Sequence, residues 1–244
     1  MNDIRGVVSR LLSNAASMSD TVEGKLRIGR YGDLRVAPTL HGVTGSGDEG
    51  SYWTAANPTI GTAIATAASL TAWVTTTPVF ILQNNDAVGG KNVIFDYLRL
   101  LTAVIPTSAT EWRWALFVDS IKRYASAGST LTNNNANTAA SASSIAQAYF
   151  GATVAAAASA QKQIAAGLVR PVIPKVWDTI TVKAGSVENS STGALRDGTA
   201  ALDIGINVPP VVLGPQTSML FYLWGAAAGA TAPQYEVNAG WIER

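Results

Sequence analysis

Gly89, Gly90 and Lys91, within NNDAVGGKNVIFDYLRLL (84–101), have the composition of a loop that cradles phosphate. A Walker-type loop also needs a glycine five residues before its Gly-Lys pair, so that backbone N–H groups curl around the phosphates, and a Ser or Thr after the lysine to hold Mg2+. Asn85 and Asn92 stand at those two positions. The residues that follow, among them Val93, Ile94, Phe95, Tyr97 and Leu98, are aromatic and branched types that favour a strand. The stretch therefore reads as a turn, with Asn84, Asn85, Asp86, Gly89 and Gly90 ending one strand before the next begins.

His41 is the only histidine, so a Ser-His-Asp triad would have to be built on it. It lies in the glycine-rich TLHGVTG, where nothing suggests the rigid hold that a catalytic base needs. Paired carboxylates are the remaining route to hydrolysis. Asp48 and Glu49 are adjacent in GSGDEGS, while Asp96, Glu111, Asp119, Asp178 and Asp203 fall in or beside strands at no diagnostic spacing. The alternating oxygen ligands of a calcium loop are missing around Gly45–Gly50. With no cysteine, thiolate nucleophiles, disulfides and Cys-ligated metals are excluded. No catalytic, metal-binding or cofactor-binding residue is expected, and no cofactor.

The chain has 244 residues, long enough for one large all-β domain or two small ones, with 17 Lys+Arg against 16 Asp+Glu and only 14% charged residues. So few ions leave a surface of Ser, Thr, Asn, Gly and Ala, or one covered by other protein. Near-neutral charge argues against nucleic acid, which requires a basic face. Arg5 and Arg10 interrupt the N-terminal apolar residues, so no secretion signal is expected. The uncharged run from Gly50 to Asn85 is threaded with Thr and Ser and contains Pro78, which suits buried or partner-covered strands better than a membrane span.

These residues imply an arm and a β domain. Ile4, Val7, Val8, Leu11 and Leu12 form one stripe at helical spacing, predicting a short amphipathic helix. A polar linker and a glycine-rich extended segment follow, so residues 1–50 are expected to be an N-terminal arm and 51–244 a β-sandwich. Strands are predicted at Pro78–Gln83, Val93–Ile105, Glu111–Asp119, Ile145–Val154, Ile164–Val169, Trp177–Ala184, Leu202–Val208, Ser218–Trp224 and Tyr235–Ile242. In EWRWALFVD, Trp112, Trp114, Leu116 and Val118 fall on one face and Arg113, Ala115 and Phe117 on the other. STLTNNNANTAASASS (129–144) reads as a long exposed loop. GATVAAAASAQKQIAAGL has helix-forming composition, but its β-like flanks favour strand, turn, strand. The seven tryptophans suit a sandwich core or an oligomer interface, with sugar binding as the alternative.

GRYGDLRVAPTLHG, DEGSYWTAANPTIGTAIA, PVVLGPQTSMLFYLW and the terminal AGWIER together resemble a family of virion structural proteins encoded near the head genes of tailed bacteriophages. The resemblance runs from about Arg27 to the C-terminus and leaves Met1–Ala16 outside it. It implies an all-β, jelly-roll-like sandwich without enzymatic activity, displayed on the virion's capsid surface as a decoration or cement protein after assembly in the host cytoplasm. The implied partner is the major capsid protein, and with the weakly charged surface the resemblance implies a homo-oligomer, a trimer being favoured. No nucleic-acid or membrane partner is expected. On the arm, Arg27, Arg30, Tyr31 and Arg35 can pair with acidic groups of a shell protein and add a strand to its sheet edge, alongside the apolar stripe from Ile4 to Leu12. The alternative function is a tail or vertex adhesion module that recognises a host glycan through the tryptophans or Asn133–Asn137.

Overall fold

The computed structural model describes residues 46–47, 49–66, 72–105, 112–140, 143–155, 161–169, 176–185, 203–225 and 233–244. In chain order the strands are β1 (Tyr52–Ala56), β2 (Ile64–Ala65), β3 (Phe80–Asn84), β4 (Val93–Val104), β5 (Trp112–Asp119), β6 (Tyr124–Ser126), β7 (Ser129–Thr130) and β8 (Thr132–Asn135). They continue with β9 (Ala146–Phe150), β10 (Thr153–Val154), β11 (Gln161–Val169), β12 (Thr179–Ala184), β13 (Asp203–Val208), β14 (Val211–Leu213), β15 (Ser218–Gly225) and β16 (Gln234–Glu243).

One sheet has the order β11-β5-β15-β3-β9-β7 and the other β13-β12-β4-β16-β1-β8, with β14 beside β4, β2 beside β16, and β6 paired with β10 as a separate ribbon. Inside them sit the two four-stranded sheets of a jelly roll, β1-β16-β4-β12 and β3-β15-β5-β11. Along those eight strands the chain changes sheet at every step except β5 to β11. That one step holds an insertion whose strands β8 and β9 extend β1 and β3, so it closes the same edge of both sheets. Pairing is antiparallel apart from β12 with β13.

Alternation explains the packing. On β5, Trp112, Trp114 and Leu116 face the space between the sheets, where they meet Phe80, Leu82 and Phe221 from their own sheet and Phe95, Leu98, Val237 and Trp241 from the other. Ala115 and Phe117 point the opposite way and join Ile81, Leu220, Tyr222, Ala152 and Val154 in a second apolar cluster. The second predicted face of β5 is therefore buried too at Ala115 and Phe117, with Arg113 exposed, and the outer side of this sheet carries a further layer. That layer is residues 72–79 and the β6–β10 ribbon, tied down by Tyr222 OH donating to the Thr75 carbonyl (2.8 Å) and Val154 N–H to the Thr76 carbonyl (3.0 Å). All five residues of β3 are buried as a result.

The all-β jelly-roll-like sandwich is as expected, and the predicted strands are present with ends shifted by a few residues, except that Ile145–Val154 is broken at Gly151 (φ 65°) into β9 and β10, which lie in different sheets. The segment 129–144 differs: Ser129–Thr130 and Thr132–Asn135 are strands and Leu131 is buried. A free sheet edge supplies their partners, which their composition does not announce. Gln161–Val169 is a strand despite its helix-forming residues, because β5 pairs along its length. Ser46 is buried, and its carbonyl accepts the Ser51 N–H at 2.9 Å, so the chain packs on the sandwich before residue 50. The predicted helix with Ile4, Val7, Val8, Leu11 and Leu12, and Arg27, Arg30, Tyr31, Arg35 and His41, lie outside the described residues.

Candidate functional site

An open cleft of about 900 Å³ lies at the end of the sandwich where β16 finishes. Glu49, Ser51, Asp86, Lys91, Glu243 and Arg244 line it together with Ala139, Ala140 and Ser143. Three carboxylates, two cations and a hydroxyl in one cleft are the residue types of a hydrolytic site. Their hydrogen bonds give them other work.

Glu243 is buried and accepts from the Ser144 hydroxyl (2.5 Å), the Trp241 indole N–H (3.0 Å) and the backbone N–H of Ile145 and Ala146 (both 3.3 Å). Both its oxygens are engaged with the protein itself. Asp86 accepts the N–H of Ala87 (2.9 Å) and of Lys91 (2.7 Å), one on each oxygen. Lys91 N–H is therefore turned into the loop, and Gly89 takes the left-handed conformation (φ 85°) that closes the turn. A Cβ on Gly90 would fall 2.3 Å from the Asp86 carboxylate, which explains glycine there. Asn84, fully buried, locks the base of the loop by donating to the carbonyls of Lys91 (2.9 Å) and Leu213 (3.0 Å). The Gly-Gly-Lys stretch is a turn whose N–H groups serve the loop itself, Gly90 donating to the Ala87 carbonyl (2.9 Å) and Lys91 to Asp86.

Asp119 repeats the pattern: one oxygen takes the Ile121 N–H (3.1 Å) and the other the Arg123 guanidinium at 2.6 Å, with both side chains buried. Asp96 accepts the Tyr52 hydroxyl at 2.7 Å and Asp203 the Thr181 hydroxyl at 3.1 Å. Burial, then that hydrogen bond to Asp96, holds the Tyr52 hydroxyl well above the usual tyrosine range. Arg244 approaches Glu49 at 3.7 Å in an exposed ion pair, which solvent screens to little effect.

In the Asn-rich segment Asn134 is exposed, while Asn133, Asn135 and Asn137 are half-buried and bonded to the protein itself. Asn133 donates to the Ala146 carbonyl (2.7 Å) and Asn135 to the Gly50 carbonyl (2.8 Å), while Asn137 accepts the Ala139 N–H (2.9 Å). These amides build a loop. Of the tryptophans, Trp53, Trp112, Trp114 and Trp241 are core, while Trp73 (45% exposed) and Trp177 (64%) meet solvent. Trp177 begins no strand: it sits in a left-handed turn (φ 77°), its N–H bound to the Thr102 carbonyl at 2.8 Å. The sequence reading missed Glu243. Its signal was the i, i+2 relation with Trp241 in AGWIER, which puts a carboxylate and an indole N–H on one face of a strand.

Among the described residues no group of three or more His, Cys, Asp or Glu side chains is placed to hold a metal ion, and no helix is long and apolar enough to cross a membrane. Comparison of the chain with protein-family models, curated proteins and solved structures gives no match.

Proposed function

We propose that this chain is a non-enzymatic structural protein of a bacteriophage virion, a jelly-roll subunit that decorates the capsid, binds the major capsid protein and stabilises the shell. One observation carries the reading: the carboxylates of Asp86, Asp119 and Glu243 are spent on the protein's own loops, while large apolar side chains stand in solvent. Leu168 (64% exposed) on β11, Trp177 (64%) before β12 and Val212 (57%) on β14 are suited to contact with protein rather than to reaction chemistry. The low density of ions fits a surface that neighbours cover.

The binding element in this reading is the arm, with Ile4, Val7, Val8, Leu11, Leu12, Arg27, Arg30, Tyr31 and Arg35 laid across shell subunits. Modest contacts per copy add up by avidity in a cyclic homo-oligomer, a trimer being favoured. The test is co-sedimentation with purified capsid shells, using the full chain and a version lacking residues 1–45. The full chain binds and the truncated protein, still folded, does not. Failure of the full chain to bind rejects the decoration role; full binding by the truncated protein rejects the arm as clamp.

The second reading, an adhesion module that recognises a host glycan at a tail or vertex, is favoured by the two exposed aromatic rings of the outer layer, Trp73 and Tyr124.

A further inference from the structure

Two exposed aromatic rings sit on the same face of the same sheet, each stacked on another ring. Trp73 stacks on Phe117 of β5 (centroids 5.6 Å apart, planes 9° apart), and Tyr124 stacks on Tyr149 of β9 (3.9 Å, 7°). The two supporting residues share one cross-strand row: Phe117 is in register with Leu220, Leu220 with Ile81, and Ile81 with Tyr149. Three strand spacings separate them, so the two supporting residues stand about 14 Å apart.

Neither ring is loosely held. Tyr222 meets Trp73 edge-on (6.2 Å, 78°), and its hydroxyl fixes the Trp73 loop through the Thr75 carbonyl. Tyr124 N–H donates to the Gln83 side chain at 3.3 Å. With one face of each ring covered, the 45% exposure of Trp73 and the 36% exposure of Tyr124 belong largely to the outward faces. Core rings in this protein are covered on both sides, as Trp241 (0%) is. Exposed amide and hydroxyl groups lie beside the pair: Gln163 is in register with Phe117, and Ser126 shares a 3.0 Å hydrogen bond with Thr153 on the ribbon that carries Tyr124.

We propose that this face binds a linear polysaccharide, two of its sugar rings lying on Trp73 and Tyr124. A pyranose has an apolar C–H face and a hydroxyl rim, which matches a flat ring flanked by amides and hydroxyls. A rigid pair of platforms needs no ordering on binding, so weak stacking at each end is additive along one chain. A protein partner would instead bury a packed apolar patch, whereas between these rings the second cluster is already roofed by Ala152 and Val154.

The experiment is native electrophoresis of the full chain in gels containing hydroxyethylcellulose, mixed-linkage β-glucan, galactomannan or alginate. At least one polymer retards the protein. Trp73→Ala and Tyr124→Ala each weaken that retardation at least 10-fold, whereas Trp177→Ala, which removes an exposed tryptophan in the turn before β12, leaves it unchanged. Because Trp73 also shields Phe117, Trp73→Phe is run beside it and retains most of the retardation if the ring is a platform. Passage through all four gels without retardation, or retardation equal in both alanine variants and the wild type, overturns the proposal. This outcome is independent of capsid binding, which the co-sedimentation experiment reads.

Discussion

Glu243 accepts the Ser144 hydroxyl at 2.5 Å across 99 residues of chain, joining the end of the last strand to the start of β9. The same carboxylate takes two backbone N–H groups and an indole N–H. It is the point where the insertion between β5 and β11 is fastened to the jelly roll. Glu243→Ala strands those buried donors and is expected to cost about 2–4 kcal/mol in urea denaturation, with the m-value preserved. A loss under 1 kcal/mol would show that water replaces the carboxylate without penalty.

The Asp119–Arg123 pair is buried, and Arg123 N–H also binds the Ser218 hydroxyl at 3.0 Å. Arg123→Met leaves Asp119 charged and uncompensated, so a loss of about 3–5 kcal/mol is expected. The double variant Asp119→Leu, Arg123→Met recovers much of it, since removing both ions removes the stranded charge. Denaturation midpoints of the single and double variants check this directly.

Tyr222 gives a pH dependence whose sign is fixed. Burial pushes its hydroxyl up to about 12, against the opposing effects of Gln161 and Arg123. The unfolded chain therefore loses this proton near pH 10, before the folded chain does, and the stabilisation is complete below pH 10 and lost as pH rises towards 12. Tyr235 is pushed in the same direction by burial. Stability should fall by about 2–3 kcal/mol from Tyr222 alone across that window, and Tyr222→Phe should flatten the fall. Absorbance of tyrosinate followed with circular dichroism decides it: buried tyrosines that ionise well before unfolding would contradict the assignment.

Gly240 lies on the outer face of the second sheet, where a Cβ would come within 2.5 Å of both the Tyr52 hydroxyl and the Tyr97 ring. Gly240→Val is expected to destabilise by about 1–3 kcal/mol through overpacking. Combined with Tyr97→Ala, which opens the space, it should cost less than the sum of the two changes. Simple additivity in the double-variant cycle would deny the contact.

What the sequence made legible follows from periodicity. β4, β5, β15 and β16 bury alternate residues in the main core, and their strong alternation or apolar density shows them directly. β7 and β8 were hidden because Thr132–Asn135 carries no apolar pattern; they exist because β1 and β9 offer an edge. The phosphate-loop alternative failed for a reason visible in the residues, and the fold adds another: the N–H groups of Ala87 and Lys91 are taken by the Asp86 carboxylate and that of Gly90 by the Ala87 carbonyl. Glu243 and the row joining Phe117 to Tyr149 were not legible, since each depends on register between strands far apart in sequence. The exposed rings above that row come from segments whose own composition reads as loop.

The most direct measurement is the position and copy number of the protein in purified virions, by cryo-electron microscopy together with quantitative mass spectrometry. A shell-decorating subunit is present in hundreds of copies, with residues 1–45 laid across capsid subunits and the Trp73–Tyr124 face turned outward. A handful of copies at a vertex or tail tip, or none in the virion, would contradict the decoration role.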